Sequence, residues 1–199
     1  MVPNTVPDPG QPTHLIPSQQ SRIVVFVGVL SYGPNLFGLS WFVQKIWPVV
    51  LKALPDARLK VAGKGCELLP VPEPLQHSID MLGFVDDLTA LYRQGALSIC
   101  PIRSGGGTRI KLIEASAHGL ASVSTRLGAE GLLLKDGESI LLRDDPDEFA
   151  QAVIELINDR AKAEQIGLNA RRVFESNYER SAVIRRATEL IRSIPCQPA

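Results

Sequence analysis

The chain has 199 residues, 45% of them hydrophobic, which suits one core of α/β size with an additional tail. Its 21 basic residues balance 21 acidic ones, so no global field argues for a nucleic acid or an anionic membrane surface, and any anion site must be local. Cys66, Cys100 and Cys196 lie far apart without C-x-x-C or histidine spacing, which argues against structural zinc and for a reduced, cytoplasmic setting.

No apolar run reaches membrane-spanning length, so no integral membrane segment is expected, and the N-terminus lacks the basic and apolar regions of a signal peptide. Residues 1–21 hold Pro3, Pro7, Pro9, Pro12 and Pro17 with Gly10 and many polar residues. That composition reads as a linker or arm unable to bury enough surface to order itself. From Arg22 the pattern changes to Ile23-Val24-Val25-Phe26-Val27 ended by Gly28, a strand buried on both faces of a parallel sheet. The spacing predicts a helix over Leu36 to Leu54, bent at Pro48. A second strand follows over Arg58–Ala62, then a short one over Ile79–Leu82 and a helix capped by Asp86 or Asp87 and ending near Gln94.

Further strands are predicted over Leu97–Cys100, Ala121–Thr125 and Ser139–Leu142, with a helix over Thr108–His118. Three helices close the chain, over 146–158, 160–178 and 181–193; Asp145-Pro146 places an N-cap acid and a first-turn proline at the start of the first. Six strands alternating with helices imply a Rossmann-like parallel sheet flanked by helices, in a single α/β domain over 22–194 followed by a tail at 195–199. Ligands in such folds bind at the carboxyl ends of the strands.

The most informative stretch is Ser104-Gly105-Gly106-Gly107-Thr108-Arg109-Ile110-Lys111-Leu112-Ile113-Glu114-Ala115, in which a strand ends, three glycines follow and a helix opens. Glycines there let backbone N–H groups approach an anion, and the helix N-terminus adds partial positive charge. Arg109 and Lys111 put two cations in the first turn, against the macrodipole, so an anion should compensate them. The plainer reading is a tight strand-to-helix loop with two solvated basic side chains. It is not a Walker loop, because the G-K-[ST] ending is missing.

Glu114 falls with Ile110, Ile113 and Ala117 at helical spacing, which predicts a carboxylate on the inward stripe. Such a group needs donors, and a ribose diol could supply two; a local ion pair with Lys111 explains it equally well. Weaker candidates are the loop from Gly28 through Ser31 to Asn35, the Gly128–Gly131 turn with Glu130, and Gly83-Phe84-Val85, which could hold a base although core packing of Phe84 is the safer reading. His118 reads as a helix C-terminal cap, while His14 and His77 carry no expected chemistry.

With those residues in hand, the stretch from Arg22 to about Ile194 resembles the nucleotide-sugar-binding domain of the retaining GT-B glycosyltransferases called group 1 or family 4. The likeness spreads over V-A-G-K-G at 61–65, L-G-F-V-D-D-L at 82–88, the G-G-G-T-R-I-K-L-I-E-A segment, His118-Gly119 and D-G-E-S-I-L-L at 136–142. Val2-Pro3-Asn4 is similar to the turn that opens this domain after an acceptor-binding half. The resemblance implies a glycosyltransferase donor domain in which Glu114 binds the donor ribose, while Gly105, Gly106, Gly107, Thr108, Arg109 and Lys111 hold the diphosphate.

It further implies a nucleotide sugar as substrate, no cofactor and no metal. The partner would be a separate N-terminal acceptor-binding domain or subunit, through which any peripheral membrane association would come. Two departures stand out: the family's E-x7-E pair would put its first Glu at 106, which is Gly106, and the Arg and Lys usual after the first strand are replaced by Ser31, Tyr32 and Asn35. Arg109 and Lys111 are therefore expected to carry the diphosphate charge, and with Glu114 the catalytic role. A non-catalytic nucleotide-binding or interaction module, a remnant or one subunit of a split enzyme, is the alternative. An epimerase would need acid and base residues for which no set is visible.

Overall fold

A computed structural model describes residues 5–10 and 21–192; the expected turn at 2–4 and the tail at 195–199 lie outside the described residues. Six strands form one fully parallel sheet: β1 (Ile23–Val27), β2 (Arg58–Ala62), β3 (Ile79–Gly83), β4 (Leu97–Cys100), β5 (Ser122–Ser124) and β6 (Leu141–Leu142), in the order β3-β2-β1-β4-β5-β6. The chain reverses its direction of travel across the sheet between β1 and β4. Loops leaving those two neighbours diverge to opposite sides there and open a crevice.

The apolar run of β1 is buried on both faces because helices cover both. Val24 and Phe26 face a large core built with α1 (Gly33–Trp41), α2 (Trp47–Ala53) and α5 (Pro146–Asn158). Val25 faces the other side, among residues of α3 (Leu88–Gln94) and α4 (Ile110–Ala117). Outside α4 lies α6 (Arg160–Asn177), whose Phe174 packs with Ile113 and Ala117, followed by α7 (Arg180–Arg192).

Three elements differ most from the sequence-based expectation. The helix over 36–54 starts earlier, at Gly33, and carries a π-helical turn over Phe42–Ile46 between α1 and α2. The Trp47 N–H reaches back five residues to the Phe42 carbonyl, just before Pro48, which has no N–H to give and whose ring crowds the preceding turn. The helix expected from Thr108 opens at Ile110, because Arg109 is left-handed (φ 53°, ψ 29°). Ile110 is 41% exposed, so the inward stripe of α4 begins at Leu112 and Ile113. The last strand is only two residues long, Leu141–Leu142, since Ser139 is spent on the Lys135 turn that precedes it.

Residues 5–10, read as part of an unordered arm, lie on α6. Val6 bridges to Glu179, and the Asp8 carboxylate accepts from Nη2 of Arg171 at 2.8 and 2.9 Å. A buried guanidinium needs oxygen partners, and Arg171 gathers them from Asp8, Glu175 and the Ala117 carbonyl.

The start of α5 follows the sequence reading: Oδ1 of Asp145 accepts from the N–H groups of Asp147 (2.9 Å) and Glu148 (3.1 Å), with Pro146 at the first helical position. Asp145→Ala is expected to remove about 1 kcal/mol, lowering the thermal midpoint by about 2–4 °C for a chain of this size. An unchanged melting curve would show that water or the backbone caps α5 equally well.

Candidate functional site

The crevice at the β1/β4 reversal is a cleft of about 420 Å³, walled by the loop after β1 on one side and the glycine loop and α4 on the other. The glycine loop is tied to its opposite wall, since the Tyr32 hydroxyl donates to the Gly106 carbonyl at 2.6 Å. Gly105 (φ 82°) and Gly107 (φ 142°) take backbone angles that disfavour any side chain. Gly106, Gly107, Thr108, Arg109, Lys111 and Glu114 all line the cleft; Gly105 sits just outside it, against Pro34.

Arg109 stands at the N-cap position of α4, and Lys111 is in its first turn, so the two cations meet the positive end of the helix dipole as expected, although from different backbone conformations. The Arg109 side chain is almost wholly buried. Its Nη2 donates to the Gly105 carbonyl at 3.3 Å and lies 4.0 Å from the Glu130 carboxylate, while its Nε has no hydrogen-bond partner among the described residues. Lys111 directs Nζ onto Oδ1 of Asn35 at 2.5 Å and over the Phe26 ring at 4.5 Å. Burial, with the Arg109 charge acting in the same direction, pushes the Lys111 pKa below its ordinary value. Two crowded, partly desolvated cations at a helix N-terminus form a seat that a bound anion would relax.

Glu114 occupies the next turn and is half-buried. Its carboxylate accepts from the Tyr92 hydroxyl at 3.3 Å; Lys111, the rival partner at i−3, turns to Asn35 instead. Burial raises the Glu114 pKa, opposed by the Tyr92 hydrogen bond and the Lys111 charge. Tyr92, from α3, is fully buried, and desolvation together with the Glu114 carboxylate holds its phenol well above the ordinary range, so it remains a donor. Its ring stacks on His118, which closes α4 as its C-cap, the role expected for it.

A second recess of about 180 Å³ adjoins the cleft, sharing Val27, Gly28 and Val29 with it and continuing to Lys64, Phe84 and Val85. Phe84 is 66% exposed and lies under the Lys64 ammonium at 5.5 Å, so the expectation of core packing is overturned in favour of a rim position. Phe84 lies just beyond the end of β3, which is an edge strand of the sheet. Gly28 and Asn35 line the main cleft, whereas Ser31 is exposed and lines neither space. Glu130 does not line the cleft and meets the site through Arg109, 4.0 Å away. Sequence reasoning passed over Tyr92. The buried carboxylate called for a donor, but nothing in the pattern pointed to a residue 22 positions away on another helix.

A family model described as glycosyl transferases group 1 matches residues 21–159. The chain belongs to that family. Among curated relatives, this group 1 chain is 29% identical over 170 residues to an uncharacterized protein of the cps region of Klebsiella pneumoniae, covering 80% of this chain and 43% of the relative. It is 29% identical over 147 residues to a phosphatidyl-myo-inositol mannosyltransferase of Mycolicibacterium smegmatis, covering 71% and 37%. The chain thus spans less than half the length of these curated relatives.

Among solved structures, TarM of S. aureus, crystallised with fondaparinux, α-GlcNAc-glycerol and UDP, superposes with a TM-score of 0.74 at 16% identity over 95% of this chain and 38% of that one. That likeness establishes the α/β fold of the group 1 chain. No helix among its described residues is long and apolar enough to cross a membrane.

Proposed function

We propose that residues 22–194 are the donor half of a glycosyltransferase and bind a nucleoside-diphosphate sugar across the carboxyl ends of β1 and β4. The observation that carries this reading is the convergence of Arg109, Lys111 and the N-terminus of α4 on one cleft, with Glu114 a turn further in. In this reading the diphosphate lies on the glycine loop between Arg109 and Lys111, the ribose meets Glu114, and the base enters the recess beside Phe84 and Val85. Catalysis is then electrostatic: fixed amides and two cations stabilise charge on the departing diphosphate, without a metal and with retention at the sugar carbon. Asn35 acts by holding Lys111. The acceptor and any group that activates it belong to a second, acceptor-binding domain or subunit, which would also carry any contact with a membrane.

A non-catalytic nucleotide-binding module is the second reading, and one observation favours it: Gly106 stands where the family places a carboxylate, leaving Glu114 as the sole carboxylate among the residues lining the cleft. Calorimetric titration with UDP, GDP and ADP and their monophosphates tests the shared premise. One diphosphate is expected to bind saturably and at least about tenfold tighter than its monophosphate, the β-phosphate adding a charge-assisted contact. No binding by any of them would overturn the donor assignment for this chain. Transfer or slow hydrolysis of the matching sugar nucleotide would separate the enzyme from the module.

A further inference from the structure

Glu114 reaches the cleft from a half-buried position, and a glutamate has three side-chain torsions to settle before it can receive a ligand. Among the described residues, its hydrogen-bonding side chain from another element is Tyr92, whose hydroxyl is 3.3 Å from Oε2 and whose ring is clamped at 4.7 Å against His118. Tyr92 is fully buried and does not line the cleft, so it has no direct route to a ligand. It sits on α3, which Asp87 caps by accepting from the Thr89 N–H at 2.8 Å directly after the loop bearing Phe84 and Val85. The same helix therefore borders the recess at one end and holds the carboxylate at the other.

We propose that Tyr92 is a positioning residue that fixes the Glu114 carboxylate to accept from the paired hydroxyls of a ribose, so that the Tyr92–Glu114 pair selects ribonucleotides over nucleotides lacking those hydroxyls. This inference rests on the reading of the cleft as a nucleoside-diphosphate site. A donor to one carboxylate oxygen leaves the remaining lone pairs for a ligand, and settling the torsions beforehand lowers the ordering cost at the moment of binding. A carboxylate left without that donor keeps its place on α4 but samples other rotamers, and the diol then meets a group that must first be ordered.

The test compares UDP, GDP and ADP, each beside its 2′,3′-dideoxy analogue, by calorimetry on the wild-type chain, Tyr92→Phe, Glu114→Ala and the double variant. Wild type is expected to bind one ribonucleoside diphosphate more tightly than its dideoxy analogue. Tyr92→Phe should weaken the ribonucleotide by roughly tenfold, as for loss of a hydrogen bond to a charged group, and leave the dideoxy analogue unchanged. In the Glu114→Ala background the same change should have no further effect.

If wild type discriminates and Tyr92→Phe discriminates equally, the positioning role is overturned while the donor reading stands. Equal weakening of both analogues, or weakening that persists without Glu114, would show that Tyr92 serves only the packing of α3 on α4. If wild type binds a diphosphate but ignores the ribose hydroxyls, Glu114 has no ribose role and the inference fails with it. If no diphosphate binds, the donor reading itself has failed.

Discussion

Replacing both Arg109 and Lys111 with alanine is expected to weaken diphosphate binding by about a hundredfold or more, from the loss of two charge-assisted contacts. The fold should survive the change. In the free chain these cations sit against the positive end of α4, Lys111 is held below its ordinary pKa by burial, and the Nε of Arg109 is buried without a hydrogen-bond partner among the described residues. Removing them therefore takes away binding energy and relieves local repulsion together, so the thermal midpoint should stay level or rise. Stability exchanged for function in this way is a common signature of binding sites. Calorimetry with the cognate diphosphate and its monophosphate checks the first part and thermal unfolding the second. Binding within threefold of wild type would remove the anion seat from this loop.

Gly167→Ala is expected to have a large effect on stability, although it lies far from the cleft in sequence and would improve helix propensity. A β-carbon at 167 would fall 2.0 Å from the Gly119 carbonyl oxygen and 3.2 Å from the Ala121 nitrogen, backbone atoms that cannot swing aside. α6 would have to lift from the corner between α4 and β5, straining the Arg171 hydrogen bond to Ala117 one turn later. Overpacking of this kind costs about 3 kcal/mol, or about 6–12 °C in midpoint for a chain of this length. Gly131→Ala is the control: φ is 80° there and a β-carbon meets nothing within 4 Å, so only the conformational penalty of about 1–2 kcal/mol applies. If the two variants melt together, the tight approach of α6 is not what holds that corner.

The sheet was legible in the sequence because short runs rich in β-branched residues and closed by glycine, such as 23–28, favour a strand covered on both faces, and their alternation with helices implies parallel order. The anion seat was legible for a related reason: three glycines and two cations at a strand-to-helix junction conflict with ordinary helix-start chemistry. What stayed hidden depends on contacts between elements. Arg109 in a left-handed conformation breaks the usual preference for glycine or asparagine there, and its contacts with Gly105 and Glu130 are made across the fold of the loop and from another turn. Phe84 looked like core because its hydrophobicity says nothing about whether a helix covers the edge of the sheet. Asp8 finding Arg171 across 163 positions, and Tyr92 finding Glu114, are long-range pairings that no local pattern announces.

The π-helical turn at Phe42–Ile46 has a consequence for how this sequence can vary. It holds one residue more than a regular α-helical turn would use and takes that residue up within the turn, so α2, buried in the core, and the start of α1 at the cleft keep close to the phase of a regular helix. Deletion within 42–46 is absorbed by a return to regular winding, whereas a single-residue deletion in the regular stretch between Asn35 and Trp41 would rotate everything upstream by about 100° about the axis. Asn35 would swing off Lys111, and the Tyr32 hydroxyl would leave the glycine loop it fastens. The wide turn is thus the place in this helix where one residue can be lost with the cleft kept in phase, and the regular stretch from Asn35 to Trp41 is not.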